Sequence, residues 1–344
     1  MAGRTATMRQ VAERAGVSQA TVSLVLNNAP GNRVTEATRA RVMEAVEDLG
    51  YRTNAFAKSL RSGQSGMIGF VSDEVASSPF AGRLLKGAQM RAWESGHIIL
   101  SVDTFGERAL EESAIDMMLS YRVLGVIYAS MYHRVVEVPE ALGDVPTVVV
   151  NAQSAGGRFS SVFPDEEEGG YTATRQLTGA GHRRIAYIDI QPADSDLPAG
   201  VGRRAGYRRA LEEAGLTVDP RLVRHGSGGT VEDGLALTAE LLDEADPPTA
   251  IFCGNDRTAW GAYRALEARG LRVPEDCSIV GFDDQETLAS YLDPGLTTVA
   301  LPHERMARDA VSLLLAEPRE EPRPHPIHCS PVLRGSVTSA EVRA

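Results

Sequence analysis

The chain has 344 residues, 43% of them apolar and 24% charged. These are ordinary globular values at a length that suits two or three domains. They exclude a collagen, a disordered polymer and a disulfide miniprotein. Cys253, Cys277 and Cys329 are too few and too scattered for a disulfide frame, and they fit a reducing cytosol. The net charge of −11 hides an asymmetry: residues 1–62 hold nine Lys/Arg against five Asp/Glu, and the remainder is strongly acidic. A basic end on an acidic body points to a polyanion as the partner of that end. Met1 to Thr5 lead into no apolar run, and no window holds ~18 consecutive apolar residues, so neither a secretory leader nor a membrane span is expected.

Thr7-Met8-Arg9-Gln10 is a T-x-x-Q capping box, which predicts a helix from Met8 to Ala15 with Val11, Ala12 and Ala15 on one face. Gly16-Val17 interrupts it. Ser18 suits an N-cap, and Gln19 to Leu26 form a second helix burying Val22, Val25 and Leu26. Helix, short glycine turn, helix is the helix-turn-helix pattern. Thr35 caps a third helix, Glu36 to Leu49, ended by Gly50. Any three-helix mini-domain shares this outline. The basic balance, and Gln19, Ala20 and Leu24 on the side that serves no core, favour a recognition helix presented to the major groove.

Val11 to Asn27 read V-A-E-R-A-G-V-S-Q-A-T-V-S-L-V-L-N. This resembles, almost letter for letter, the VAxxAGVSxxTVSxVLN motif of the lactose/galactose repressor (LacI/GalR) family. The resemblance implies that Gln19 and Ala20 open the recognition helix behind Ser18, itself a DNA-contact candidate, and with Leu24 tune the choice of operator. It also implies that Thr21, Ser23, Asn27 and Arg33 hold phosphates or groove edges. The loop Asn28 to Arg33 is about one residue longer than the family's usual one.

Tyr51 to Arg61 follow, with Asn54 able to cap a helix of about seven residues. A helix that short is marginal alone because nucleation is costly. A plain linker would also fit the residues. The family pattern Y-x-P-N-x-x-A-x-x-L matches at Tyr51, Asn54, Ala57 and Leu60 and departs at Thr53, where proline is usual. The resemblance implies a hinge helix in the minor groove, with Leu60 as the wedge at the central base step. Lys58 and Arg61 would then lie beside phosphates.

From Met67 onward, short apolar runs alternate with helical stretches. The expected strands are Met67–Val71, Ile98–Val102, Val123–Tyr128, Thr147–Val150, Ile185–Ile190, Ala250–Cys253 and Ile279–Phe282. Helices are expected at Phe80–Glu94, Gly169–Thr178, Ala205–Ala214, Glu232–Leu242 and Asp256–Arg269. Such alternation means parallel sheets covered on both faces, and the length of this part means two lobes. No G-x-S-x-G elbow and no Walker loop occur. Gly200-x-Gly202-x-x-x-Gly206 only approaches a dinucleotide fingerprint. His325-x-x-His328-Cys329 lies in a proline-rich stretch and reads as a solvated loop rather than a metal site. Asp283 and Asp284, adjacent on an extended backbone, would point opposite ways, so one of them serves as a cleft acceptor rather than both as an acid/base pair.

Asp165, Asn255 and Asp283 follow apolar strands, and Arg203 precedes the expected helix Ala205–Ala214. Carboxylates, an amide and a guanidinium converging on a cleft suit a neutral polyol, although each residue could equally be a helix cap or surface partner. The family's motifs R-x-x-G-[FY]-x-x-A-L, N-D-x-x-A-x-G and V-G-[FY]-D-D…P-x-L-T-T-[VI] are similar to Arg203 to Leu211, Asn255 to Gly261, and Val280 to Asp284 with Pro294 to Val299. The resemblance implies that Arg203, Asn255 and Asp283 are effector ligands, with Asp165 near the lobe crossing and Ser72 and Phe80 in contacting loops. Ala129 and Ser130 are weaker candidates. Where many relatives carry an aromatic platform this chain has Gly229, and Trp260 is expected to pack in the helix core.

The expected architecture is an all-α helix-turn-helix head plus a two-lobed, periplasmic-binding-protein-like α/β effector domain with doubly wound parallel sheets. The head spans 1–52, the hinge and linker 53–66, and the effector and dimerisation domain 67–344. Its first lobe covers about 67–163 and 297–322, and its second about 164–296 and 323–344. The expected function is that of a cytoplasmic, nucleoid-associated homodimeric repressor. It binds a pseudo-palindromic double-stranded operator and is released by a small sugar from a carbohydrate-utilisation operon. The alternative is a nucleobase-type, corepressor-dependent repressor. A sugar-transport protein and an enzyme are disfavoured, and no cofactor, metal or membrane partner is expected.

Overall fold

A computed structural model describes residues 6–26, 34–51, 65–75, 82–316 and 321–340. The chain divides into two compact units, Met1–Gly66 and Met67–Ala344.

The first unit contains α1 (Met8–Ala15), α2 (Gln19–Leu26) and α3 (Glu36–Asp48). Thr7 and Gln10 form the reciprocal capping box read from the sequence. Gly16 turns the chain at φ 65°, a left-handed conformation that glycine adopts without a Cβ penalty. Thr35 caps α3 by accepting from the Thr38 amide. Val11, Ala12, Ala15, Val22, Val25, Val42 and Ala45 form the core. Arg14 pairs with Asp48 at 2.7 Å on the surface.

The second unit contains, in chain order, β1 (Met67–Ser72), α4 (Gly82–Glu94), β2 (Ile98–Asp103), α5 (Arg108–Ser120), β3 (Val126–Ala129), β4 (Val135–Val136), β5 (Thr147–Val150), β6 (Gln153–Ser154) and β7 (Ser160–Pro164). There follow α6 (Glu166–Gly179), β8 (Ile185–Asp189), α7 (Pro198–Glu213), β9 (Val223–His225), α8 (Val231–Leu242), β10 (Ala250–Cys253), α9 (Asp256–Glu267) and β11 (Ser278–Val280). Last come β12 (Thr298–Ala300), α10 (His303–Leu315), β13 (Pro324–Ile327) and β14 (Ser330–Val332). One parallel sheet has the order β13-β7-β5-β3-β1-β2 and a second β11-β10-β8-β9. Leu84, Ala88, Met306 and Val311 of α4 and α10 cover one face of the first sheet. Ile115 and Met118 of α5 cover the other. The second sheet lies between α8 and α9 on one side and α6 and α7 on the other. Main-chain burial on both faces explains why these strands read as continuous apolar runs.

Two stretches leave the lobes expected of them. Residues 324–327 were placed in the second lobe, but β13 is the outer strand of the first sheet, paired with β7. Pro324 and Pro326 broke the strand pattern, yet an edge position tolerates a residue that cannot donate. Thr298–Ala300, expected in the first lobe, pair with β14, and Val299 packs with Tyr187, Phe252 and Val280 of the second. The stretch read as a solvated loop around His325 is therefore a strand, and Cys329 is wholly buried.

The helix expected to begin at Ala205 begins at Pro198, so Arg203 lies inside α7 instead of preceding it. Gly202 and Gly206 let α7 approach α6: a Cβ at Gly206 would fall within the backbone of Glu167 and Tyr171. The near-fingerprint is thus a helix-packing face. Trp260 is 40% exposed, contrary to the expected core position. With Arg264 and Glu267 it forms the outward stripe of α9, while Ala259, Ala262, Tyr263 and Leu266 face the core.

Candidate functional site: a helix end and an interlobe cleft

In the first unit, α2 carries no charged residue, and Gln19, Ala20 and Leu24 are exposed. Ser18 Oγ accepts from the Thr21 amide at 3.1 Å and meets Thr21 Oγ1 at 2.9 Å. The cap therefore occupies Ser18 and Thr21 and leaves Gln19 and Ala20 as the side chains at the helix start. Ser23 is half-buried. The partial positive end of the helix is uncompensated by any acidic side chain in its first turn. Asn27, Arg33, Asn54, Ala57, Lys58, Leu60 and Arg61 lie outside the described residues, as does the hinge expected at 53–66 except at its end.

In the second unit a cleft lies between the lobes. Its floor is a buried polar chain. Arg203, 3% exposed, donates through Nε to Glu166 Oε2 at 2.8 Å and through Nη1 to the Gly254 carbonyl at 2.5 Å. The same guanidinium lies 3.5 Å from Asp283 Oδ1 and 3.8 Å from the Phe282 ring centroid. Glu166 meets His133 Nδ1 at 3.3 Å, and His133 also meets Gln153 at 3.0 Å and stacks on Phe163. Because His133 follows β3 and Glu166 opens α6, this chain ties one lobe to the other. Arg83 of α4 makes a second tie, 3.0 Å from Glu286.

Burial pushes the Asp283 carboxyl up to about 6 against the pull of Arg203. Burial acts the same way on Glu166, but Arg203 and His133 outweigh it and hold that carboxyl below its ordinary value. Asp256, wholly buried, is raised first by burial and next by Asp283. Asp283 and Asp284 sit at φ 108° and 53°, where a side chain is strained. They do point apart, but through this turn and not through an extended backbone: Asp284 pairs with Arg334 at 2.7 Å.

A model of the bacterial regulatory proteins of the lacI family matches residues 7–54, and one of a periplasmic binding protein-like domain matches 174–337. The HTH-type transcriptional repressor PurR of Yersinia enterocolitica is 33% identical over 98% of both chains. The lac repressor dimer bound to operator and the anti-inducer ONPF superposes with a TM-score of 0.80, at 28% identity over 97% of this chain and 100% of that one. The complex of the transcriptional regulator CelR with cellobiose gives 0.65, at 32% identity over 96% and 99%. This chain belongs to the LacI family. It is a DNA-binding transcriptional regulator with a helix-turn-helix head and a two-lobed α/β domain.

Within this LacI-family chain, Arg203, Asn255 and Asp283 do line the cleft. Asn255, however, is the N-cap of α9: its Oδ1 accepts from the Thr258 amide at 2.8 Å and its Nδ2 donates to the Gly229 carbonyl at 2.9 Å. Its neighbour Asp256 accepts from the Gln285 amide at 2.7 Å and the Thr298 hydroxyl at 2.6 Å. Asp165 is a cap too, accepting from the Glu168 amide, and its neighbour Glu166 takes the place in the cleft. Ser72, bonded to Asp103, lines a separate depression of the first lobe together with Ala129 and Ser130. Phe80 lies outside the described residues. At Gly229, φ is +66° and a Cβ would meet Ile190 Cγ2 at 2.9 Å and crowd the Asn255 amide, so this backbone excludes an aromatic platform. The sequence reading missed Glu166, His133, Gln285 and the Arg83–Glu286 pair. Glu166 and Gln285 each stand within two residues of an aspartate it had chosen, but His133 had no such marker.

Proposed function

We propose that the chain is a cytoplasmic homodimeric repressor that reads a pseudo-palindromic operator and takes a nucleobase-class corepressor in the interlobe cleft. Full-length kinship to PurR repressors carries the effector class. The geometry agrees with it. A sugar is expected from the sequence because Arg203, Asn255 and Asp283 could chelate hydroxyls, but Arg203 Nε and Nη1, the Asn255 amide and Asp283 Oδ2 already have protein partners. The cleft wall of Ile190, Leu197, Ala199 and Leu301 is apolar, which suits the face of a planar ring.

Gln19, Ala20 and Leu24 would meet base edges, and the hinge residue Leu60 would wedge a base step. Two copies would meet along the outer edge of the first sheet. There β2 is the terminal strand, and the flanking helices expose Trp93 (77%), Met90 and Met117. Among the described residues no helix is long and apolar enough to cross a membrane, and no group of three ligand-type residues could hold a metal ion.

The test is operator selection from random DNA with the full chain, followed by binding assays with adenine, guanine, hypoxanthine, glucose and cellobiose. A nucleobase should tighten operator binding and raise the melting temperature. Cellobiose is included because the CelR complex, at 32% identity, favours a sugar as the second reading. A sugar that loosened operator binding would establish that reading and overturn the first.

A further inference from the structure

We infer that Gln285 is a specificity-determining residue of the cleft, its side-chain carbonyl oxygen held ready to accept a hydrogen bond from an N–H donor of the effector. The inference rests on the reading of the cleft as the effector site and deepens it.

Gln285 lines the cleft and is 6% exposed. Its backbone amide donates to Asp256 Oδ2 at 2.7 Å, which fixes the main chain. Its Nε2 donates to Asp283 Oδ2 at 3.0 Å, which fixes the side chain. The amide cannot be turned over without setting its oxygen against a carboxylate that only accepts. Arg203 holds Asp283 in turn, 3.5 Å from Oδ1, so the support reaches the buried polar chain of the floor. This leaves Oε1 buried and, among the described residues, without a hydrogen-bond partner. Folded proteins leave few buried acceptors unsatisfied. Among the described residues that line the cleft, Gln285 is the one whose buried side-chain acceptor lacks a partner.

An acceptor locked in this way discriminates by chemistry. A ligand edge bearing N–H satisfies it. An edge bearing a ring nitrogen lone pair or a methyl group in the same place leaves it unpaired, and sites built to bond a donor reject analogues lacking it strongly. Nucleobases present both kinds of edge, so Gln285 would choose among them and not merely admit the class.

Calorimetry on the full chain with guanine, hypoxanthine, adenine and their singly N-methylated derivatives tests this. For the tightest base, one methylated derivative should bind wild type at least tenfold more weakly. Gln285→Leu should lose a similar factor for the parent base and be indifferent to that methylation. The methylation series on wild type needs no variant, so the test survives if Gln285→Leu folds poorly. Equal affinity for every methylated derivative, or an unchanged affinity in a folded Gln285→Leu, would overturn the role of Gln285. If no base binds and cellobiose does, the nucleobase reading falls. Gln285 is then judged by the same cycle with singly deoxygenated cellobioses, where loss of one hydroxyl should matter in wild type and not in Gln285→Leu.

Discussion

The two regions treat polar side chains in opposite ways. At the start of α2, Gln19 and Ala20 stand exposed beyond a cap that is complete without them. In the cleft, Arg203, Glu166, Asn255 and Asp283 are bound to one another or to main chain. An exposed face can be read from helical period alone. A buried polar residue can be located in the sequence, but whether it has anything left to offer a ligand depends on partners far away in the chain.

The largest effect that would sharpen this contrast is at Arg203. Arg203→Ala leaves the buried Glu166 and the partly buried Asp283 without their cation, and breaking a buried pair costs about 3–5 kcal/mol. Urea unfolding of the full chain should show that loss in the second unit. A variant as stable as wild type that had lost only effector binding would make Arg203 a ligand and not an anchor. Next comes Gly229→Phe, which restores the family's aromatic but places a side chain at positive φ against Ile190. It should destabilise by about 1–3 kcal/mol, read in the same unfolding curves, and should not improve effector binding.

Asp283 gives a smaller, pH-dependent effect. Its native value near 6 lies above the ordinary 3.8, so the native state takes up a proton between those values. Its contribution to stability is therefore greatest below the ordinary value and is lost as pH rises through about 6. The stability of wild type minus that of Asp283→Asn should fall across this window, by about 1–3 kcal/mol, and level off above it. A difference that rose with pH would contradict the burial argument. The smallest effect on stability belongs to the head: Gln19→Ala and Leu24→Ala should change it by less than about 0.5 kcal/mol. They should nonetheless shift the operator sequence recovered by selection. A large stability loss would mean that these side chains serve the core.

The alternation of strands and helices, the capping box and the helix-turn-helix were legible because each is a local signal. Long-range bookkeeping was not. The packing role of Gly202 and Gly206 was hidden because the backbone of α6 that they admit is about 35 residues away. Pro324 and Pro326 hid β13 because an edge position cannot be recognised without its sheet. Asp165 and Glu166 were confused because only the fold decides which neighbour caps the helix and which faces the cleft.

The central claim is that the cleft ligand and the operator act on one equilibrium. The direct measurement is the affinity of a nucleobase with and without operator, beside the affinity of operator with and without that base. Linkage requires the two ratios to be equal. The account predicts that each partner tightens the other by the same factor. Base affinity unchanged by operator, or a base that weakens operator binding, would contradict it.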